Sequence, residues 1–458
     1  MILEKATYYV GTERRETQRE IPAQKDVGIE WNVINVYPDV EYQTVLGFGG
    51  AVTEAAGVVY SKLNEESRKK LIEAYYGKDG NNYVFGRCSI DSCDFGLGNY
   101  SAKETEDASF SLDRDKKYIL PLLDDIYRTK KIKLFMAPWS PPAYMKTNGE
   151  KNHGGKLKKE YYSAWAEYMC SYLSEYKKLG YDVFAVSTQN EPKASQRWDS
   201  CVYSTEEEAD FLEMYLYPQM KKYGLKDIRR IVWDHNKERA YERLEGVYKS
   251  VSDKSAVSGV GYHWYSGDHF DALKLISEKY PDKLSVFTEG CVEGVKGDAG
   301  EYVKHAERYA HEIIGCLNNG CNAFIDWNIL LDEKGGPNHV GNFCEAPLMA
   351  DGNGGIRFNP SYYAIGHFSK YLISGAKKIA TTSFSKDVEC TAWKNPDGKA
   401  VLVVLNRAME TIPLHIRLNG SFYETELKEK SIVTIILFKD ENQYVSLMEK
   451  QCQMIELK

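Results

Sequence analysis

Short runs of β-branched and aromatic residues alternate along the chain with longer stretches of helical period, the pattern of βα units and a parallel sheet. Eight such runs follow one another: Thr44–Gly50, Val84–Ile90, Lys133–Pro138, Val183–Gln189, Arg230–Asp234, Gly259–Trp264, Leu284–Glu289 and Ala323–Asn328. Between them the spacing predicts helices over Glu65–Tyr76, Tyr118–Thr129, Tyr161–Leu179, Thr205–Tyr223, Tyr241–Val251, Asp271–Tyr280 and Tyr302–Leu317. Eight repeats are the count of a closed barrel, so the expected class is α/β, a (β/α)8 TIM barrel.

The two ends read differently. Before about residue 43 the chain shows strands (Thr7–Val10, Ile29–Tyr37) without helical period. Beyond a helix near Tyr362–Tyr371, strand signals return at Glu389–Lys394, Val401–Asn406, Thr411–Leu418 and Ile432–Phe438. Asn395-Pro396-Asp397-Gly398 between two of these is a hairpin turn. Two strand-rich ends flanking one barrel are expected to meet in a single β-sandwich. The expected domains are thus 1–43 and 375–458, forming the sandwich, and 44–374, forming the barrel. No Ser/Gly/Pro-rich linker separates them, which predicts packing rather than tethering.

Composition narrows the function. A chain of 458 residues with 43% hydrophobic content can bury a large core. The formal net charge of -7 offers no basic face to nucleic acid or an anionic membrane. No run of about 18 apolar residues is present, so no membrane span is expected. The N-terminus turns charged at once (MILEKATYYVGTERRETQRE), without an apolar signal region, and a cytoplasmic protein with free thiols is expected from it. Ten cysteines are present, and Cys88/Cys93 and Cys316/Cys321 share a spacing, yet neither set makes a zinc pattern. Neither metal nor cofactor is expected. The 34 Tyr and 8 Trp would suit sugar faces as well as cores.

Functional residues of such barrels sit at the C-terminal ends of strands. Strand four, read to its end as VFAVSTQNEP, places Glu191 before Pro192, which marks the exit into a loop. Strand seven ends SVFTEG, placing Glu289 before Gly290. One such glutamate could simply open its loop. Two at equivalent positions, three strands apart, can face one another across the barrel mouth as the acid and nucleophile of a glycosidase do.

Seven stretches then act together: GFGGAVTEAAG at 47–57, APWSPPAYMKTNG at 137–149, VSTQNEP at 186–192, GYHWY at 261–265, FTEG at 287–290, DWNILLDEKGGPNHVGNF at 326–343 and GHFSKYL at 366–372. In order and spacing, over nearly the whole length, the chain resembles glycoside hydrolase family 30, close to its acid β-glucosidase (glucosylceramidase) branch. The resemblance implies Glu191 as acid/base, Glu289 as nucleophile, and a β-sandwich built from both chain ends. It also implies Asn190 on the sugar 2-hydroxyl, Asp94 and Trp139 on other hydroxyls of the −1 sugar, Trp327 as its aromatic platform, and Arg87 beneath the carboxylates. His263 and Tyr265 alternate with Trp264 and so face one side. There Tyr265 would bond the nucleophile and His263 would line the pocket. Asn342 and Cys291 match the rim.

One departure limits the carry-over. The loop KASQRWDSCVYS after the acid/base is short and polar apart from Trp198, so ceramide specificity does not transfer, and Trp198 is free to stack on a second sugar or a flat aglycone. The expected partner is a small glycoside or oligosaccharide, cleaved from the end of a β-glucoside or related β-glycoside. β-Xylosides and internal bonds of β-1,6-glucans are the alternatives within the family. An aldolase or isomerase on the same barrel would call for a Schiff-base lysine or a metal cluster, and neither is visible. A non-catalytic carbohydrate-binding barrel would have no need of both carboxylates.

Overall fold

The structure, a computed structural model, describes residues 2–10, 12–294 and 299–437. Eight parallel strands close into a barrel in chain order: β1 (Gly47–Ala51), β2 (Phe85–Ile90), β3 (Lys133–Pro138), β4 (Asp182–Ser187), β5 (Arg229–Asn236), β6 (Gly259–His263), β7 (Leu284–Glu289) and β8 (Ala323–Asn328), with β8 pairing back on β1. Four of these strands, β1, β2, β6 and β8, are buried along their whole length and the others along most of it, which is why they read as apolar runs rather than as alternation. Phe287 and Phe324 stack inside the barrel, centroids 4.0 Å apart. Both neighbours of β6 carry one extra residue against its C-terminal end, Asp234 in β5 and Thr288 in β7. Such bulges re-aim side chains at barrel rims.

By contact the chain divides into two units. One, 47–297 with 319–359, holds the barrel strands. The other, 1–46, 298–318 and 360–458, holds a ten-stranded sheet and the helices Ala299–Asn318 and Pro360–Ser369. Both chain ends build that sheet: strand Ile2–Val10 lies between Glu13–Ile21 and Ile432–Leu437, and Val33–Thr44 lies between Lys377–Thr382 and Ile412–Leu418. The sheet folds over on itself, since Arg19 at one end of the strand order reaches the Thr425 hydroxyl near the other at 2.6 Å. Ile34, Leu402, Leu414 and Ile435, all fully buried, lie in the core it encloses. The architecture is a TIM barrel with a β-sandwich domain.

Several elements depart from the sequence reading. The run Thr44–Gly50 belongs to two strands, for Thr44 ends a sheet strand and β1 starts at Gly47. Strand Glu13–Ile21 went unread because eight of its nine residues are exposed, leaving no apolar alternation. Helix Glu54–Lys62, capped by the Thr53 side chain on the Ala56 amide, was hidden by a glycine and β-branched residues. Strands Lys377–Thr382 and Ser421–Leu427 were also missed. The reading of Ile432–Phe438 and of a domain to 458 runs past Leu437, and residues 438–458 lie outside those described. Among the described residues no helix is long and apolar enough to cross a membrane.

Candidate active site

The C-terminal ends of β3, β4 and β5 are stitched together by backbone. The Asn190 amide donates to the Pro138 carbonyl at 2.8 Å, and the Glu191 amide donates to the Asp234 carbonyl at 3.0 Å. Glu191, Trp233 and Asp234 all adopt left-handed backbone, with φ of 47°, 70° and 51°. L-residues rarely rest there, and three in one cluster mark a place where surrounding structure holds strain for a purpose.

These strand ends surround a cavity of about 140 Å³. Glu191 and Glu289 line it together, with Asn190 and Asp94. Trp139 and Trp327 form one wall, stacked at 5.3 Å with 19° between their planes, and Trp198, Tyr265, Asn342 and Cys291 complete the set expected from sequence. Two expected residues stand behind the wall instead. Arg87 is fully buried and donates to Glu289 Oε2 (2.5 Å), Asn190 Oδ1 (2.8 Å) and Asp234 Oδ2 (2.9 Å), with its guanidinium over the Trp139 ring at 4.7 Å. His263 does not line the cavity. It is fully buried, with Nδ1 at 3.0 Å from Glu191 Oε1 and Nε2 at 3.2 Å from Asp234 Oδ1.

Tyr265 donates its hydroxyl to Glu289 Oε1 at 3.0 Å. Glu289 therefore meets a cation on one oxygen and a phenol on the other, whereas Glu191 meets an imidazole. Asp234 joins the two halves, bonding Arg87 with one oxygen and His263 with the other. Sequence reasoning missed it, together with His235, Asn236, Gln196, Glu293, Phe95 and Cys344 on the cavity wall. The signal was there: VWDHN ends β5 in polar residues after an apolar run, as β4 and β7 end in theirs.

The charges follow from these contacts. Against its burial, the Arg87 cation and His263 hold the Asp234 carboxyl well below the usual range. Against burial likewise, Glu289, Asp234 and Glu191 lift His263 to about 9, so it is a cation at neutral pH. Burial and the Glu289 charge raise Asp94 to about 8, although the Asn342 and Asn338 amides oppose this, so Asp94 is a neutral acid. Burial lowers His235, although the Glu191 charge opposes this. Glu191 and Glu289 titrate as a pair. Burial and the Glu191 charge raise Glu289, against the pull of His263 and Arg87. Glu191, despite burial, is drawn down by its bond from His263 and the charges of His235, His263 and Arg87. One proton shared between the two glutamates would bring Arg87, His263, Asp234 and the pair to zero charge. A buried cluster is cheapest when neutral.

Glu191, His263 and Glu289 also bring one donor atom each within 4.8 Å of one another, a set a cation could use. Their mutual hydrogen bonds and the Arg87 cation already satisfy those atoms, so the geometry suits proton chemistry better.

Comparison with known proteins agrees with this geometry. The Glycosyl hydrolase family 30 TIM-barrel domain matches residues 45–372, and the family's beta sandwich domain matches 375–435. The lysosomal acid glucosylceramidase of Mus musculus is 30% identical over 84% of this chain and 79% of its own. An endo-1,6-beta-D-glucanase of Trichoderma harzianum is 25% identical over 86% of this chain and 84% of its own. Among solved structures, SrfJ of Salmonella typhimurium superposes with a TM-score of 0.90 at 35% identity, covering 96% of this chain and all of the other (100%). A solved endo-beta1,6-glucanase gives 0.84 at 28% identity, over 96% of this chain and 100% of its own. Paired carboxylates at the ends of β4 and β7, the barrel, the sheet from both chain ends and near-complete coverage converge: the chain belongs to glycoside hydrolase family 30 and is a glycosidase.

Proposed function

We propose that the protein is a retaining, exo-acting β-glycosidase for β-glucosides or close relatives, with Glu289 as nucleophile and Glu191 as general acid/base. The observation that carries this reading is the approach of the two carboxylates, oxygens within 4.8 Å across one cavity. Retention needs the groups about 5–5.5 Å apart, whereas inversion needs about 6.5–9.5 Å to admit a water between them.

The steps follow from the charges. A glycosidic oxygen against Glu191 accepts a hydrogen bond from the protonated acid, while the electron-poor anomeric carbon beside Glu289 favours its anion. Substrate thus selects the state with the shared proton on Glu191. Glu289 attacks the anomeric carbon as Glu191 protonates the leaving oxygen, giving a glycosyl ester and a Glu191 carboxylate. The His263 cation at 3.0 Å stabilises that carboxylate. The cluster is still neutral: the Glu289 charge has gone into the ester and Glu191 has taken one up. Glu191 then accepts a proton from water, water opens the ester, and the sugar leaves as the β-anomer. Asp94, Asn190, Trp139 and Trp327 are assigned to the sugar in the −1 site, and Trp198 to the leaving-group side.

Exo action is favoured by a cavity of about 140 Å³, below the roughly 300–1,000 Å³ of sites that enclose larger ligands. It suits one ring rather than a chain. Endo action on β-1,6-glucan is the second reading, favoured by the relatives named as endo-1,6-glucanases. Proton NMR of the first sugar released from a β-1,6-linked oligosaccharide tests both points. The β-anomer of a monosaccharide is expected. An α-anomer would overturn retention, and early disaccharide and trisaccharide without monosaccharide would overturn exo action.

A further inference from the structure

Cys291 and Cys344 differ from the other described cysteines, which are buried and do not line the cavity: both line it, 4% and 1% exposed, and their Sγ atoms stand 2.9 Å apart. Backbone holds them there. Cys291 lies two residues past Glu289 and Cys344 lies beyond β8, and the two stretches run side by side. The Glu345 amide donates to the Val292 carbonyl (2.9 Å), the Gly294 amide to the Phe343 carbonyl (2.8 Å), and Glu293 bridges Cys344 in antiparallel register. Buried thiols ordinarily pack as small apolar residues. These two instead form part of a polar cavity wall, and Cys291 Sγ is 3.5 Å from the Tyr265 hydroxyl, which donates to Glu289 Oε1. A change at that sulfur reaches the Glu289 carboxylate through one phenol.

We propose that Cys291 and Cys344 are a dithiol modification site, which low-molecular-weight disulfides oxidise to an internal disulfide, lowering turnover. One cysteine thiolate attacks the small disulfide, forming a mixed disulfide and releasing one small thiol. The second cysteine thiolate attacks the protein sulfur of that mixed disulfide and releases the other. Two electrons pass from the protein pair to the small disulfide, and the two cysteine protons leave on the two released thiols. Burial pushes the Cys291 thiol well above its ordinary range, so exchange at neutral pH is slow and is followed as a time course. Closure draws Cys291 Sγ toward Cys344 and shifts the hydroxyl that Glu289 relies on.

The test incubates the reduced full chain with glutathione disulfide, then maps disulfide-linked peptides and measures kcat on an aryl β-glycoside. A linked Cys291–Cys344 peptide pair is expected, with kcat down roughly tenfold, the scale of one hydrogen bond to a charged group, and restored by dithiothreitol. Cys344→Ser and Cys291→Ser, each compared with itself before and after treatment, should gain at most one glutathione at the remaining thiol and form no link. If one variant fails to fold, the other carries the comparison. The proposal is overturned if no linked peptide forms, if the link forms with kcat unchanged, or if Cys344→Ser loses as much turnover on oxidation as the unaltered chain. Peptide mapping needs no substrate, so failure of the glycosidase reading and failure of this one are separately visible.

Discussion

Glu289 and Glu191 differ in their partners more than in their burial, and that difference predicts how their variants fail. On the proposed roles, Glu289→Gln replaces the attacking carboxylate with a poorly nucleophilic amide, so no glycosyl ester should form even from an activated aryl glycoside. Glu191→Gln should still form the ester from such a substrate and then stall, because nothing activates water; azide, which needs no base, should restore turnover with β-glycosyl azide as product. Rescue of neither variant, or an α-azide from Glu191→Gln, would reverse or remove these roles. Asp94 and His263 also predict a stability profile. Each holds its proton more tightly folded than unfolded: Asp94 at about 8 against 3.8, His263 at about 9 against 6.5. Their contributions are full below the unfolded values and disappear as pH rises through the folded ones, so stability should fall between about pH 4 and 9. Asp94→Asn, a neutral isostere, should lose its share of that fall, read as denaturant midpoints at pH 5 and 9; an unchanged difference between the two would remove Asp94 as a source. The two glutamates were legible in sequence because a carboxylate after an apolar strand is conspicuous. Asp234 was equally conspicuous in VWDHN, but its partners, Arg87 and His263, come from β2 and β6, and no local pattern joins them.

Barrel strands were readable wherever both faces are buried, since an apolar run then has clear ends. Elements whose partners lie elsewhere in the chain were not. Helix Glu54–Lys62 contains Gly57, a poor helix former, because the helix starting at Asp113 comes close: a Cβ at Gly57 would lie 2.4 Å from the Tyr118 carbonyl oxygen. Gly57→Ala, which raises helix propensity, should therefore destabilise the protein by about 1–3 kcal/mol through overpacking. Urea unfolding measures this, and a gain in stability would mean that propensity outweighs packing there. Strand Glu13–Ile21 makes the same point from the surface. Its exposed side chains carry no pattern, and its position is set by the register of nine residues against Ile2–Val10.

Across the whole chain, the sandwich depends on pairing residues more than 330 positions apart. His367 bridges the hydroxyls of Thr7 and Thr434 at 2.8 Å each, kept neutral by burial that lowers it to about 3. Deleting residues 1–46 would strip Ile432–Leu437, Lys377–Thr382 and Ile412–Leu418 of a neighbouring strand and leave open edges that recruit other chains. Such a truncated protein should collect in the insoluble fraction. A soluble monomer with an unchanged thermal midpoint would show that the N-terminal strands are dispensable. Periodicity, turn residues and strand-end polarity determined the barrel, the strand-rich ends and the two glutamates, because these depend on neighbours within about twenty residues. Tertiary structure alone decided that Arg87, Asp234 and His263 form one hydrogen-bonded charge cluster behind the two glutamates, that His263 stands behind the cavity, and that Cys291 meets Cys344. Each of those rests on where separate strand ends converge once the barrel closes, and side-chain distance in space has no counterpart in sequence spacing.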